Sequence, residues 1–230
     1  MYRKGEVRYE ALPLPDRVAL PEAETLAAAQ AFRDYMAKRH SVRQYSAQAV
    51  PEAVIVACIQ AAGLAPSGAN HQPWFFAAIA DQGMKARIRA AAEDEERAFY
   101  AGGAGDEWLA ALEPIGTGAS KPHLTDAPWL IVVFAQRYGV TGDGARYKNY
   151  YVPESVGIAV GMLITAIHHA GLVCLEHTPN PMKFLPEMCG RPASEKAVMI
   201  VPVGYPAEDA TVPAVAKRKK PLDEILTVFR

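Results

Sequence analysis

"RHSVRQYSAQAVP" (residues 39–51) places Arg39, His40 and Arg43 around a single serine, Ser41, in a chain whose formal net charge is only -1. Two readings of this turn are open. It can be a helix C-terminus, where cations meet the negative end of the dipole. It can also be a pocket for an anion, since arginine forks and a serine hydroxyl match phosphate oxygens. Spacing alone does not separate them. On either side the pattern is helical. Upstream, "PEAETLAAAQAFRDYMAKRH" (21–40) carries Leu26, Ala29, Phe32 and Met36 three or four apart, which is one helical face. Downstream, "PEAVIVACIQAAGLA" (51–65) starts with Pro51 at an N1 position and runs Val54, Cys58 and Ala61 along one side.

Farther out, the apolar runs alternate with helical ones. "WFFAAIA" (74–80), "WLIVVFAQ" (129–136), "LVCLEH" (172–177) and "EKAVMIVPVGYP" (195–206) read as strands. Residues 83–100 form a charged helix and 154–170 an apolar one that should be central. Between them, 102–128 is glycine-rich, with a short helical piece at Trp108–Leu112. A connection that long marks a lid or binding loop. Residues 1–22, with three prolines, read as an extended arm. The tail 217–230 is basic first and then apolar at Leu222, Ile225 and Leu226, as an arm crossing to another subunit would be. No repeat or linker divides residues 23–230, so one α+β domain is expected.

Composition narrows the function. With 50% hydrophobic and 21% charged residues, this is ordinary globular material. The charge balance gives no footprint for nucleic acid. "APWLIVVF" (127–134) and "VGIAVGMLITAI" (156–167) fall short of the roughly 18 residues of a membrane span. No secretory signal opens the chain. Cys58, Cys174 and Cys189 are scattered, without metal or disulfide spacing, which fits a reducing cytoplasm. Neither a dinucleotide glycine fingerprint nor a Walker motif is present, and no metal-ligand set appears. "APSGANHQPW" (65–74) could bring backbone N–H groups to a flat ligand, with Gly68 permitting close approach. By composition it could equally be an ordinary helix-to-strand loop, with His71 a hydrogen-bonded loop histidine.

Taken together, "KRHSVRQYS", "APSGANHQPW", "VPVGYP" and the terminal "KKPLDEI" resemble the nitroreductase superfamily of FMN flavoproteins. "EERAFY" (95–100), a lysine 21 residues after its tyrosine, "TDAPWLIVVF" and "AGLVCLEHTPNPM" are similar to the iodotyrosine deiodinase branch. The resemblance spans about residues 30 to 230. It implies an α+β fold, a mixed central sheet wrapped by helices, and an intertwined homodimer with FMN in the interface. It implies that Arg39, His40, Ser41 and Arg43 hold the phosphate, ribityl and pyrimidine edges of FMN. His40 replaces a frequent arginine. Pro66, Ser67 and Gly68 would lie against the flavin from the partner subunit, and the Thr178 hydroxyl would approach flavin N5 as the catalytic contact. The last phosphate ligand falls on Lys219, with Arg218 beside it. Glu96, Tyr100 and Lys121 would clamp an amino-acid zwitterion beneath a lid at about 90–125. The Ala69 N–H would meet a phenolate oxygen.

The spacing agrees with the clamp. Glu96 and Tyr100 are four apart on one helical face, a carboxylate can take an ammonium, and a lysine with a phenol can take a carboxylate. The activity implied is FMN-dependent reductive dehalogenation of halogenated tyrosines by a cytoplasmic enzyme, with NAD(P)H or a reductase partner as electron source. The rivals are a generic NAD(P)H-dependent nitroreductase acting on nitroaromatics or quinones, a flavin-destroying enzyme of cobalamin synthesis, and a flavin store or sensor without turnover.

Overall fold

The structure, a computed structural model, describes residues 8–14 and 16–230. The rest of the expected arm, residues 1–7 and 15, lies outside the described residues, and 8–14 run exposed without regular structure.

The apolar run 129–136 becomes β2 (Trp129–Gln136), the inner strand on which everything else is built. It pairs antiparallel with β1 (Trp74–Ile79) on one side and β6 (Glu195–Gly204) on the other. The short β5 (Val173–Cys174) closes the order β1-β2-β6-β5. The ladders are antiparallel. A parallel bridge between Ser41 and Cys174 adds the basic turn to the sheet edge.

Because side chains alternate along a strand, β2 feeds two cores. Ile131, Val133 and Ala135 face α2 (Glu52–Gly63) and α6 (Val152–His169). Leu130, Val132 and Phe134 join Ile88 and Ala92 of α3 (Gln82–Ala98) in the second core, with Leu124 and Leu185. A strand covered on both faces shows a continuous apolar run, which is why "WLIVVF" carries no alternation.

The helices differ from expectation in phase and cover. Pro51 is the N-cap residue and α2 begins at Glu52. Its buried stripe is Ile55, Cys58 and Ala62, rotated from the expected Val54, Cys58 and Ala61. α6 spans 18 residues and is apolar enough for a membrane span by length and composition. It instead buries Val156, Val160, Leu163 and Ile167 against the sheet while leaving Ile158 exposed, so only one face is central. α1 (Glu22–Met36) buries none of its expected face. Leu26 is 66% and Phe32 57% exposed, and the helix is tied to α6 through Tyr35, whose hydroxyl donates to the His168 carbonyl at 2.8 Å.

Short elements flank the site region. α4 (Asp106–Leu112) and α5 (His123–Asp126) punctuate the loop before β2. A hairpin of β3 (Tyr138–Val140) and β4 (Arg146–Lys148), unforeseen in the sequence, follows it. α7 (Phe184–Met188) packs Leu185 into the second core.

Candidate active site

The basic turn is part of the folded core rather than a helix cap. α1 ends at Met36, with Ala37 as its C-cap, so Arg39 and Arg43 lie beyond the last turn. Val42 N–H donates to the Cys174 carbonyl at 3.0 Å, and the buried Tyr45 hydroxyl sits 3.0 Å from the Val42 carbonyl. The backbone is thereby fixed and its side chains divide. Arg39 and His40 line a cavity of about 610 Å³ together with Lys38, Lys217 and His168. Arg43 lines a second cavity of about 490 Å³ with Thr117, Ser120 and His123.

The first cavity suits a phosphate. Arg39 Nη1 is buried with no hydrogen-bond partner among the described residues, and Glu176 Oε1 is 3.9 Å from it. Burial, then Lys217, Arg39 and Lys219, push the His40 pKa below its usual value. A guanidinium nitrogen with a distant carboxylate but no hydrogen-bond acceptor, among mutually repelling cations, has room for a further acceptor, and an FMN phosphate would supply one. Two residues escaped the sequence reading. Glu176 accepts the Ser41 hydroxyl at 2.6 Å. Lys217, closing the short turn Ala214–Lys217, is the tail cation that lines the cavity; Arg218 and Lys219, the expected pair, are exposed and do not line it.

The loop after α2 is strained and closely seated. Ala69, Asn70 and Gln72 have φ of 51°, 53° and 50°, the left-handed region that costs a side-chain-bearing residue energy. What holds them is a set of hydrogen bonds. Gly68 N–H donates to the buried Ser155 hydroxyl, Asn70 N–H to the Ser67 carbonyl, and Gln72 N–H to the Ser67 hydroxyl. His71 Nδ1 lies 3.1 Å from Asn149 Oδ1, and Asn149 donates to the Gln136 carbonyl, so His71 is a satisfied loop histidine. Ala69 sits at the middle of this turn, between Gly68 and Asn70, and is exposed. Pro66 is exposed, and Ser67 and Gly68 are half-buried. This loop shares no hydrogen bond or ion pair with the basic turn among the described residues.

A Cβ on Gly68 would lie 2.6 Å from the Tyr150 carbonyl oxygen and 3.0 Å from its carbon, which are backbone atoms that cannot swing aside. Gly68→Ala is therefore expected to destabilise the protein by about 1–3 kcal/mol. It should also lower the FMN content of purified protein, read from the flavin-to-protein absorbance ratio. A variant with wild-type melting temperature and full flavin would show that this close approach is not needed.

The three clamp residues converge. Glu96 lies near the end of α3, and Tyr100 sits in a single π turn (Phe99–Gly103) that continues the helix, a local irregularity frequent at functional sites. Lys121 returns at the far end of the loop and is buried, 4% exposed, rather than lying on an open surface. Its ammonium pairs with Glu96 Oε2 at 3.1 Å, donates to the Thr117 hydroxyl, and stands 5.9 Å from the Tyr100 ring centre. The segment between them packs by edge contacts of Phe99 with Tyr100 and Trp108. Thr178 is exposed, directly after His177, whose backbone bridges to Ile200. Burial and neighbouring charge push the Cys174 thiol up to about 12, so it is no nucleophile. No metal-ligating cluster occurs among the described residues.

The site region thus joins an antiparallel sheet between two helical layers, a cation-lined cavity at the sheet edge, and a carboxylate–phenol–lysine cluster beside the loop that precedes β2. The chain belongs to the nitroreductase family, whose model matches residues 36–205. It is 49% identical over 197 residues to the iodotyrosine deiodinase of Haliscomenobacter hydrossis, covering 86% of this chain and 89% of that protein. It is 39% identical over 226 residues to human iodotyrosine deiodinase 1, covering 98% and 77%. Among solved structures it resembles an oxidized iodotyrosine deiodinase bound to FMN and 3-iodo-L-tyrosine, with a TM-score of 0.70 and 30% identity over 86% of this chain and 98% of that one.

Proposed function

We propose that this protein is an FMN-dependent oxidoreductase that removes halogen reductively from halogenated tyrosines. The observation that carries the reading is the buried Glu96–Lys121 pair beside Tyr100. In the free protein the two side chains satisfy each other. A zwitterion can replace that contact without leaving a charge unpaired: its ammonium meets Glu96, and its carboxylate accepts from Lys121 and the Tyr100 hydroxyl. The Ala69 N–H then donates to the phenolate oxygen, which orients the ring. Arg39, His40, Ser41 and Lys217 hold the FMN phosphate, Arg43 the ring edge, and the Thr178 hydroxyl is set toward flavin N5. FMN, when bound, supplies the electrons for the reduction. The carbon–halogen bond breaks, a carbon–hydrogen bond forms with a proton taken up, and halide leaves. Lid closure excludes water once the zwitterion is seated.

In this reading residues 23–230 form a single FMN-binding domain with a lid at about 90–125, and the protein works as a cytoplasmic homodimer. Two features support the dimer. The α1 face carrying Phe32 borders an apolar groove with Ile158, Met162 and Ala166 of α6. Leu222, Ile225 and Leu226 of the tail are exposed. Contiguous apolar surface of this kind marks an interaction site, and the partner's loop 66–70 would complete each flavin site. The cysteines are free, as a reducing compartment requires.

The test is anaerobic. Holoprotein reduced with dithionite is titrated with 3-iodotyrosine while flavin absorbance and free tyrosine are followed. Stoichiometric reoxidation with one tyrosine formed per flavin is expected. Reoxidation by a nitroaromatic but not by iodotyrosine would replace this reading with the general nitroreductase one.

A further inference from the structure

One face of α3 carries a ladder of polar side chains, Lys85, Arg89, Glu93, Glu96 and then Tyr100, spaced three or four apart so that they share one side of the helix. Each of the first four rungs grips the chain segment 121–128. The Lys85 ammonium donates to the Ala127 carbonyl at 2.7 Å. Arg89 donates to the Thr125 hydroxyl and to Glu93, both at 2.8 Å. Glu93 Oε1 accepts the main-chain N–H of Lys121 at 2.7 Å, and Glu96 pairs with the ammonium of the same lysine at 3.1 Å. Lys121 is thus held twice by α3, once by its backbone and once by its side chain. Burial alone would raise the Glu93 pKa, but the Lys121 N–H and the Arg89 guanidinium outweigh it, and the carboxyl stays below its usual range.

We propose that Glu93 is a positioning residue for substrate binding: it fastens the return end of the lid to α3 through the Lys121 N–H, so that the lysine ammonium is set against Glu96 before substrate arrives. This rests on the zwitterion clamp described above. The function of Glu93 is reach, not charge. Its Oε1 accepts from both the Lys121 N–H and Arg89, and the substrate ammonium has Glu96. The lid then moves between two fixed ends, and only Glu96, Tyr100 and Lys121 exchange partners when the zwitterion enters.

Two substitutions separate reach from charge. Glu93→Gln keeps an acceptor oxygen at the same length and loses the charge. Glu93→Asp keeps the charge and withdraws it by one methylene. Binding to oxidised holoenzyme is read from the change in flavin absorbance with 3-iodotyrosine and with 2-iodophenol, which has no zwitterion. Glu93→Asp is expected to weaken iodotyrosine binding about tenfold, the size of one lost hydrogen bond to a charged group, and to leave iodophenol binding and FMN content unchanged. Glu93→Gln should remain close to wild type. Hydrogen–deuterium exchange of a peptide spanning 117–127 gives a substrate-independent reading: faster in Glu93→Asp, protected in Glu93→Gln. A larger loss in Glu93→Gln than in Glu93→Asp, equal losses with both ligands, or unchanged exchange in Glu93→Asp would each overturn the proposal. If wild-type protein ignores iodotyrosine while the exchange difference is present, the clamp reading falls and the fastening of Lys121 stands.

Discussion

In the Lys121→Met protein, kcat/KM for 3-iodotyrosine is expected to fall by about a hundredfold or more, while FMN content and the reduction of a nitroaromatic stay near wild type. The reason is the burial of both partners. Lys121 is 4% exposed and Glu96 12%, and they meet at 3.1 Å. Removing the ammonium leaves the Glu96 carboxylate without its counter-charge in a largely water-free site, and truncating one member of a buried pair costs about 3–5 kcal/mol. The substrate loses the partner of its carboxylate at the same time, since Tyr100 alone offers one neutral donor. Methionine keeps the length and apolar stem of lysine, so the lid's packing is preserved and the loss reads on charge. Arginine is not a neutral replacement, because its planar fork would not fit where a point charge reaches both Glu96 and the Thr117 hydroxyl. Steady-state kinetics on the two substrates decide the matter. A Lys121→Met enzyme that loses nitroaromatic and iodotyrosine turnover equally would place Lys121 in the flavin site rather than the clamp.

How far such residues are legible in the sequence depends on whether local pattern or tertiary packing places them. The strand 129–136 was plain because its burial on both faces leaves an unbroken apolar run. The pairing of Glu96 with Tyr100 followed from helical phase, and the same phase extended by one turn reaches Glu93. In "EDEER" that phase separates the inward Glu93 and Glu96 from the solvent-facing Asp94, although composition makes the run look uniformly exposed. Other features had no local signal. The hairpin at 138–148 is short and polar. Glu176 stands two residues after the last residue of β5, and only the bridge from Ser41 to Cys174 brings it to the basic turn. The tail has no period, so it is a three-dimensional turn that brings Lys217, and not Arg218 or Lys219, to the cavity wall. The unburied face of α1 was readable as amphipathic but not as unpartnered within one chain, because periodicity reports a face and not what covers it.

His123 and His177 belong to the features that only the fold reveals, and they carry the second large expectation, a loss of stability in mild acid. Their rings meet edge to face at 5.2 Å, and the Nε2 of each is buried without a hydrogen-bond partner among the described residues. Burial first, then Lys121, Arg43 and Arg89, lower the His123 pKa to about 4. Burial, then His123, Lys121 and Arg43, lower that of His177 to about 3. Both rings are neutral in the folded protein at pH 5, whereas unfolding returns them to the ordinary histidine value of 6.5. Below that value the unfolded chain binds protons that the folded chain refuses. Stability is therefore complete above the unfolded value and declines as pH falls toward the folded ones. The slope is about 1.4 kcal/mol per pH unit for each ring, so about 2 kcal/mol per histidine is lost between pH 7 and pH 5. His40, lowered in the same direction, adds to the loss. The paired carboxylate of Glu93 acts only at lower pH, because its stabilisation disappears as pH falls through the carboxylate range. Urea unfolding at pH 7 and pH 5 therefore isolates the histidines, and His177→Phe, which keeps a ring of similar shape, assigns the effect. The variant should lose about 2 kcal/mol less than wild type across that interval. A wild type equally stable at both values, or a variant with an unchanged difference, would mean that these rings accept protons without cost in the folded state.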